Sequence, residues 1–243
     1  RVGVAERCGP DEVIEELTPA EIDRVADEVE RLEVESVAVC LLHSYRHPEH
    51  ERALGEAIAA RFGEAHHVSL SHQVVGTFRE YERAATTEID AALSPLLGSY
   101  LDRLRARSLE EGLPEPMIMQ SSGGLTDLDD AAGHAALTVL SGPAGGAAAA
   151  MLIARLAEEP DLLCFDMGGT SCDVCVVEGG TVHEIGSKRI AGRPLALPMV
   201  DIDTVGAGGG SIAWRDSGGA LRVGPQSAGA DPGPACYGRG GHP

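Results

Sequence analysis

The stretch from Leu162 to Val177 constrains the fold more than any other. An apolar run, Leu162 to Asp166, meets a tight turn over Met167 to Ser171, and Cys172 to Val177 returns as a second apolar run. The pattern predicts a β-hairpin. Its first strand ends in an acid, Asp166; its turn holds Gly168 and Gly169; Thr170 and Ser171 follow, and Asp173 stands on the return strand. Glycine has no Cβ, so such a turn can bring its backbone close to an anion. Consecutive amide N–H groups can then hold phosphate oxygens while Asp166 holds Mg²⁺ or its water shell. An isolated Gly-Gly turn reads as an ordinary hairpin. The order acid–Gly–Gly–Thr–Ser–x–acid points to phosphate.

Around this hairpin the chain changes texture. Thr18-Pro19-Ala20-Glu21 has the form of a helix start: a capping hydroxyl, proline in the first turn, and an acid completing a capping box. Ile22, Val25, Val29 and Leu32 then share one face. Ser36 to Leu42 reads as a buried strand, Pro48 to Phe62 as a helix stopped by Gly63, and His67 to Leu70 as a strand. Thr77 to Glu111 reads as a long helix, kinked or broken near Pro95. Met117 to Gln120 reads as a strand, and Gly142 to Ala157 as a helix rich in Ala and Gly. Short strands and glycine turns fill the remainder. The predicted class is α/β in two subdomains, residues 1–158 and 159–243, with the boundary near 158–160.

Composition narrows the partners. The 243 residues carry 38 acids against 19 bases, a net charge of -19, and Lys188 is the sole lysine. Such a charge disfavours nucleic acid and anionic lipid, so any anion site must rest on backbone amides and metal. No apolar run is long enough to span a membrane. The six cysteines have no dense spacing, which suits a reducing, cytoplasmic setting. Aromatic residues are only 3 % of the chain, so the core must be aliphatic.

Other clusters invite chemistry. Consecutive glycines at Gly208, Gly209 and Gly210, followed by Ser211, can form a second anion loop or a tight strand connection. Asp201 and Asp203 just before it can ligate metal or be solvated. Arg79, Glu80 and Arg83 share a helical face, where the two arginines can clamp a carboxylate or form an intrahelical salt-bridge set. His43, His47 and His50 straddle a strand end and a proline turn, so a loop reading outweighs a metal one. Cys172 and Cys175 point to opposite faces of a strand, which fits neither zinc nor redox chemistry.

Taken together, Asp166-Met167-Gly168-Gly169-Thr170-Ser171-Cys172-Asp173, Phe78 to Arg83 with Thr86-Thr87, Leu140 to Gly146, Thr204 to Ala213 and Gly224 to Gly241 resemble the hydantoinase A / 5-oxoprolinase family. The resemblance implies an actin-like ATPase fold of the ribonuclease H-like kind, present here in part, with ATP and Mg²⁺ as cofactors. It implies Asp166 and Asp173 as catalytic acids, Asp166 as the metal ligand, and Gly168, Gly169, Thr170 and Ser171 as phosphate contacts. The implied reaction is ATP-dependent opening of a cyclic amide of the hydantoin or 5-oxoproline type, by phosphorylation of the carbonyl oxygen. An ATP-dependent ketone carboxylase subunit and a non-catalytic assembly module are the alternatives. Implied partners are a second, B-type subunit or fused half and a cyclic amide substrate, and an exposed sheet edge favours a homo-oligomer. The family's first Asp-Gly-Gly-Thr hairpin has no copy here, so the chain is expected to be an internal piece, inactive alone. Two positions depart from the family pattern: Cys172 stands where Thr is common, and Asp90 where Asn is expected, adding a charge near the substrate region.

Overall fold

A computed structural model describes residues 1–63 and 66–241. They divide into two compact units: Arg1–Val139 with Ile185–Met199, and Leu140–Glu184 with Val200–Pro243. Unit one begins with β1 (Arg7–Cys8), β2 (Val13–Glu15), α1 (Pro19–Arg31), β3 (Ser36–Val39), α2 (Glu49–Phe62), β4 (His67–Leu70), α3 (Ser71–Val74) and α4 (Glu80–Glu110). It continues through β5 (Ile118–Met119), β6 (Leu125–Thr126) and α5 (Leu128–Gly133). Unit two takes up the chain in α6 (Ser141–Ala157), β7 (Leu162–Met167), β8 (Cys172–Glu178) and β9 (Thr181–Val182). The chain crosses back within β10 (Glu184–Ile185), forms β11 (Lys188–Ile190) and β12 (Arg193–Leu195), and crosses again within β13 (Met199–Val200). It closes with β14 (Asp203–Val205), β15 (Ser211–Arg215) and β16 (Leu221–Ser227).

Local sequence sets the start of unit one. Thr18 Oγ1 accepts from the Glu21 amide and Pro19 opens α1, as the cap signal requires. The Glu21 carboxylate does not close the capping box; it accepts from Ala5 N at 2.7 Å and from Arg24. β3 and β4 pair in parallel, with α2 as their crossover. Val25, Val29, Val39, Leu54, Ile58 and Leu70 bury together from α1, α2 and both strands.

The long helix α4 runs unbroken through Pro95, against the expected break. A helix-interior proline costs about 3 kcal/mol, and the helix is held on both sides of it by buried Ala91, Ser94 and Leu101. The buried face of α4 is polar: Arg83, Thr86, Thr87, Asp90 and Ser94 are all shielded from solvent. Buried polar groups need partners, and each has them. Arg83 Nε donates to Ser71 Oγ at 3.0 Å, and its two terminal nitrogens donate to the Thr77 and Leu41 carbonyls at 2.6 Å each. Ser71 Oγ in turn donates to Glu51 Oε1 at 2.6 Å. That carboxylate, fully buried, also accepts from Leu41 N, His72 N and His72 Nδ1. Asp90 is likewise fully buried, accepting from Ser69 Oγ at 2.7 Å and Ala136 N at 2.9 Å. Its charge therefore braces the core and is not presented to a substrate.

In unit two, β14, β8 and β7 form an antiparallel sheet with β9 against β8. Helix α6 packs on β7, β8 and β9, burying Ala150 and Ala154 with Val177. The division accordingly falls at Leu140, before α6, and not near 158–160. The change of composition at Pro160 marks the end of a helix that already belongs to the second unit. Conversely, Leu195, Leu197 and Met199 return to unit one and bury with Val74, Val75 and Ala136.

Two outcomes follow. Arg83→Ala leaves a buried polar cluster without its cation and should lower unfolding free energy by about 3 kcal/mol or more, read by urea denaturation; Arg83→Lys, lacking the planar fork, should recover little of it. His134 lies 3.8 Å from Asp90, across a short gap wider than a hydrogen bond, and the carboxylate raises its pKa above the usual 6.5. The fold then holds the proton more tightly than the unfolded chain. This contribution is complete below the usual value and fades as pH rises through the raised one. Burial lowers His67, giving a slope of opposite sign, so His134→Gln should remove the first component, and the stability difference between wild type and variant should shrink as pH rises. Urea midpoints measured from about pH 5 to 8.5 would show it.

Candidate functional site

The hairpin β7–β8 holds the acids in register. Asp166 and Asp173 are directly opposed across the pair, one residue outside Met167 and Cys172. Asp173 Oδ1 accepts from Thr204 Oγ1 of β14 at 2.6 Å, which fixes one carboxylate and leaves the exposed Asp166 without a hydrogen-bond partner among the described residues. Both acids line a cavity of about 10 Å³ with Pro143, Gly146, Cys164 and Ile202, about the space of one water. Gly146 of α6 approaches Asp166 so closely that a Cβ there would lie 3.2 Å from Oδ2.

The turn joining the strands is short. Gly168 N donates to Ser171 O at 2.9 Å. The amides of Gly169, Thr170 and Ser171 donate to no acceptor among the described residues, and neither hydroxyl has a partner among them. Consecutive amides without acceptors can form a nest for an anion. The opposed carboxylates on the strands that flank the turn are hard oxygen ligands of the kind that Mg²⁺ prefers. The residues present thus fit a metal-bound phosphate.

The second glycine segment lies against the first. Gly209 N donates to Gly168 O at 2.9 Å and Gly210 N to Gly169 O at 2.7 Å, while Gly208 N binds Ser211 Oγ and Ser211 N binds Gly208 O. All four amides are engaged inside the protein. The expectation of a second anion loop at Gly208, Gly209, Gly210 and Ser211 is therefore corrected: this segment braces the hairpin turn. Its glycines are needed for closeness, since a Cβ on Gly208 would come within 2.7 Å of Ser171 N, Thr170 N and Gly168 O. Asp201 and Asp203 are exposed, and Asp203 serves as the β14 partner of Val174.

The Arg79, Glu80, Arg83 set does not stay together. Arg83 is 1 % exposed with its donors engaged as described, and cannot share a clamp with Arg79. Arg79 caps the start of α4, exposed, 3.8 Å from Glu82, with Glu80 exposed beside it. Arg79 instead lines a cavity of about 470 Å³ within unit one, with Thr77, Glu82, Lys188, Arg189 and Pro194. In a chain with twice as many acids as bases, three cations around one hollow are a local reversal of field. Sequence spacing had no signal for this, because Arg79 and Lys188 are more than a hundred positions apart.

Residues 83–243 match the family profile described as Hydantoinase/oxoprolinase, and residues 1–62 match Hydantoinase/oxoprolinase N-terminal region. Caprolactamase subunit alpha of Pseudomonas jessenii is 37 % identical over 226 residues, covering 93 % of this chain and 32 % of that protein. 5-oxoprolinase 1 of Arabidopsis thaliana is 41 % identical over 210 residues, covering 86 % of this chain and 16 % of that protein. Among solved structures, the ATP-dependent caprolactamase of Pseudomonas jessenii superposes with TM-score 0.80 at 34 % identity, over 97 % of this chain and 34 % of that one. Nucleotide-free acetone carboxylase superposes with TM-score 0.76 at 29 % identity, over 93 % and 32 %. The chain thus spans at most about a third of these relatives.

Gly208→Ala should force the two glycine segments apart and cost about 1–3 kcal/mol, the usual range for overpacking. Gly145→Ala, with open space at its Cβ and a helical backbone, should be neutral or slightly stabilising. Thermal melts of the two variants side by side test the contrast; equal melting points would show that the segments are not interlocked.

Proposed function

The chain belongs to the hydantoinase/oxoprolinase family and carries part of an actin-like ATPase-type fold, and from that premise we propose that its parent protein opens a cyclic amide at the expense of ATP. The observation that carries the reading is the turn at Gly168–Ser171, with three amides that have no acceptor among the described residues, between strands that carry opposed carboxylates. Gly169, Thr170 and Ser171 would hold phosphate oxygens through backbone N–H groups, and Asp166 with Asp173 would hold Mg²⁺. Bound ATP would supply a phosphoryl group to the amide oxygen, activating the carbonyl carbon of an unstrained ring toward water, and the ring would open as the C–N bond breaks and its nitrogen takes a proton. The residues of this chain act by placement and charge neutralisation. Thr204 orients Asp173, Gly146 leaves room for Asp166, and the Gly208–Ser211 brace fixes the turn.

The ring substrate is of the hydantoin or 5-oxoproline type. Arg79, Lys188 and Arg189 around their cavity favour a substrate bearing a carboxylate, which 5-oxoproline has and a plain lactam lacks. We assign unit one to the first actin-like domain and unit two to the start of the second. The relative named as a subunit alpha supports a second subunit as partner. Among the described residues no helix is long and apolar enough to cross a membrane, and a cytoplasmic site of action is part of the proposal. Ketone carboxylation is the competing reading, favoured by the likeness to acetone carboxylase.

The decisive assay uses the full-length protein with Mg-ATP. ADP release should be stimulated by 5-oxoproline or hydantoin and not by acetone with bicarbonate. Asp166→Asn should lower kcat by about 100-fold or more, as losing a transition-state charge partner does, with the melting point unchanged. Arg79→Gln should raise KM for 5-oxoproline more than it alters kcat. Ketone-stimulated turnover, or an Asp166→Asn enzyme of full activity, would overturn the assignment.

A further inference from the structure

Glu6, Cys8 and His50 converge in unit one, far in sequence from the residues assigned above. Cys8 ends β1, and Glu6 immediately precedes that strand. His50 stands in the first turn of α2, held by the helix. The three donor atoms form a closed triangle. Cys8 Sγ lies 3.6 Å from Glu6 Oε2 and 3.6 Å from His50 Nδ1, and Nδ1 lies 2.7 Å from Oε2. All three side chains are nearly sealed from solvent: Cys8 is 2 % exposed, and the side chains of His50 and Glu6 are 9 % and 5 % exposed.

We propose that Glu6, Cys8 and His50 form a binding site for one divalent transition-metal ion of the zinc class. Tetrahedral zinc has bonds of about 2.3 Å to sulfur and about 2.0–2.2 Å to nitrogen and oxygen, which sets donor–donor edges of about 3.4–3.6 Å. Both edges to sulfur already have that length. Only the carboxylate–imidazole edge must open, by about 0.7 Å, as a metal replaces the shared proton. A thiolate, an imidazole and one carboxylate are a borderline-soft set that suits zinc rather than magnesium or calcium. Three protein ligands leave a fourth position for water.

The surroundings of the imidazole fit the same assignment. Its other nitrogen, Nε2, lies 3.4 Å from Glu16 Oε2 and 3.3 Å from Leu17 N. Without metal, Nε2 accepts from Leu17. With metal at Nδ1, the proton moves to Nε2 and donates to the Glu16 carboxylate, the usual outer-shell support of a metal-bound histidine. Binding replaces the thiol proton, while the imidazole keeps its one proton on Nε2, so it releases a proton and strengthens as pH rises. The ion would tie the β1–β2 hairpin to α2, forty-two positions away. It acts on the stability of unit one and takes no part in nucleotide chemistry.

The test is cobalt titration of the full-length protein after chelation and dialysis. The expected result is a thiolate-to-cobalt charge-transfer band with tetrahedral d–d bands, saturating at one equivalent, abolished by zinc and absent from Cys8→Ser. Zinc should also raise the melting temperature of the wild type and not of Cys8→Ser. Zinc affinity of Glu6→Gln should fall by more than about 100-fold, beyond the cost of losing an outer-shell partner. Cys236→Ser, at an exposed cysteine remote in sequence, should keep the band. A wild-type protein with no thiolate band overturns the proposal without any variant. A band of equal strength in folded Cys8→Ser, its fold checked by circular dichroism, overturns it as well.

Discussion

A backbone amide turned away from water must find an acceptor, and this requirement sorts the glycine-rich turns of unit two. The segment from Gly208 to Ser211 satisfies every one of its amides within the protein, two of them on carbonyls of the hairpin turn. The turn itself leaves the amides of Gly169, Thr170 and Ser171 without acceptors among the described residues. One segment is thus scaffold and the other keeps its amides open for the proposed phosphate, although the two have nearly the same composition. The scaffold works because glycine lets two main chains approach to a distance that any Cβ would forbid. The opposed acids depend on the same arrangement, because the register that sets them across from each other also sets where the turn begins.

Unit one rests on a different device. Its longest helix turns charge and hydroxyl groups inward, and the fold satisfies them as one connected network from Leu41 through Glu51, Ser71 and Arg83 to Thr77. Asp90 anchors the neighbouring segment at Ala136 in the same way. A network of this kind contributes little net stability over an apolar core of the same shape, but it leaves few alternative packings open, because each misplaced partner strands a buried charge. It fixes the register of α4 against β3 and β4, and so the place where Arg79 emerges at the helix start.

The legible parts of the sequence were those governed by local physics. The cap at Thr18–Pro19, the strand His67–Leu70 and the hairpin about Gly168–Gly169 follow from a few adjacent residues, and the structure has them where the pattern places them. What was not legible depends on distant partners. Arg83 looks like a surface clamp until Ser71, Thr77 and Leu41 are seen around it. Asp90 looks like an added charge until Ser69 and Ala136 meet it. Gly208 to Ser211 has the composition of an anion loop, and only the carbonyls of Gly168 and Gly169 show that its amides are taken. His50 was grouped with His43 and His47 by spacing, whereas Glu6 and Cys8 are its neighbours in space. Of the kink or break expected at Pro95, the break is absent, since α4 continues through it.

The path of the chain has a practical consequence. Because residues 185–199 leave the second unit to complete the apolar cluster of the first, neither unit is a contiguous stretch of the gene. A truncation ending at Val139 would expose Val74, Val75 and Ala136, which Leu195, Leu197 and Met199 otherwise cover. A truncation beginning at Leu140 would carry those three leucine and methionine side chains as an uncovered, sticky excursion. Domain dissection, circular permutation and recombination between relatives must therefore treat β11 and β12 as cargo of the first unit, delivered late, and any splice that separates them from it should yield insoluble material.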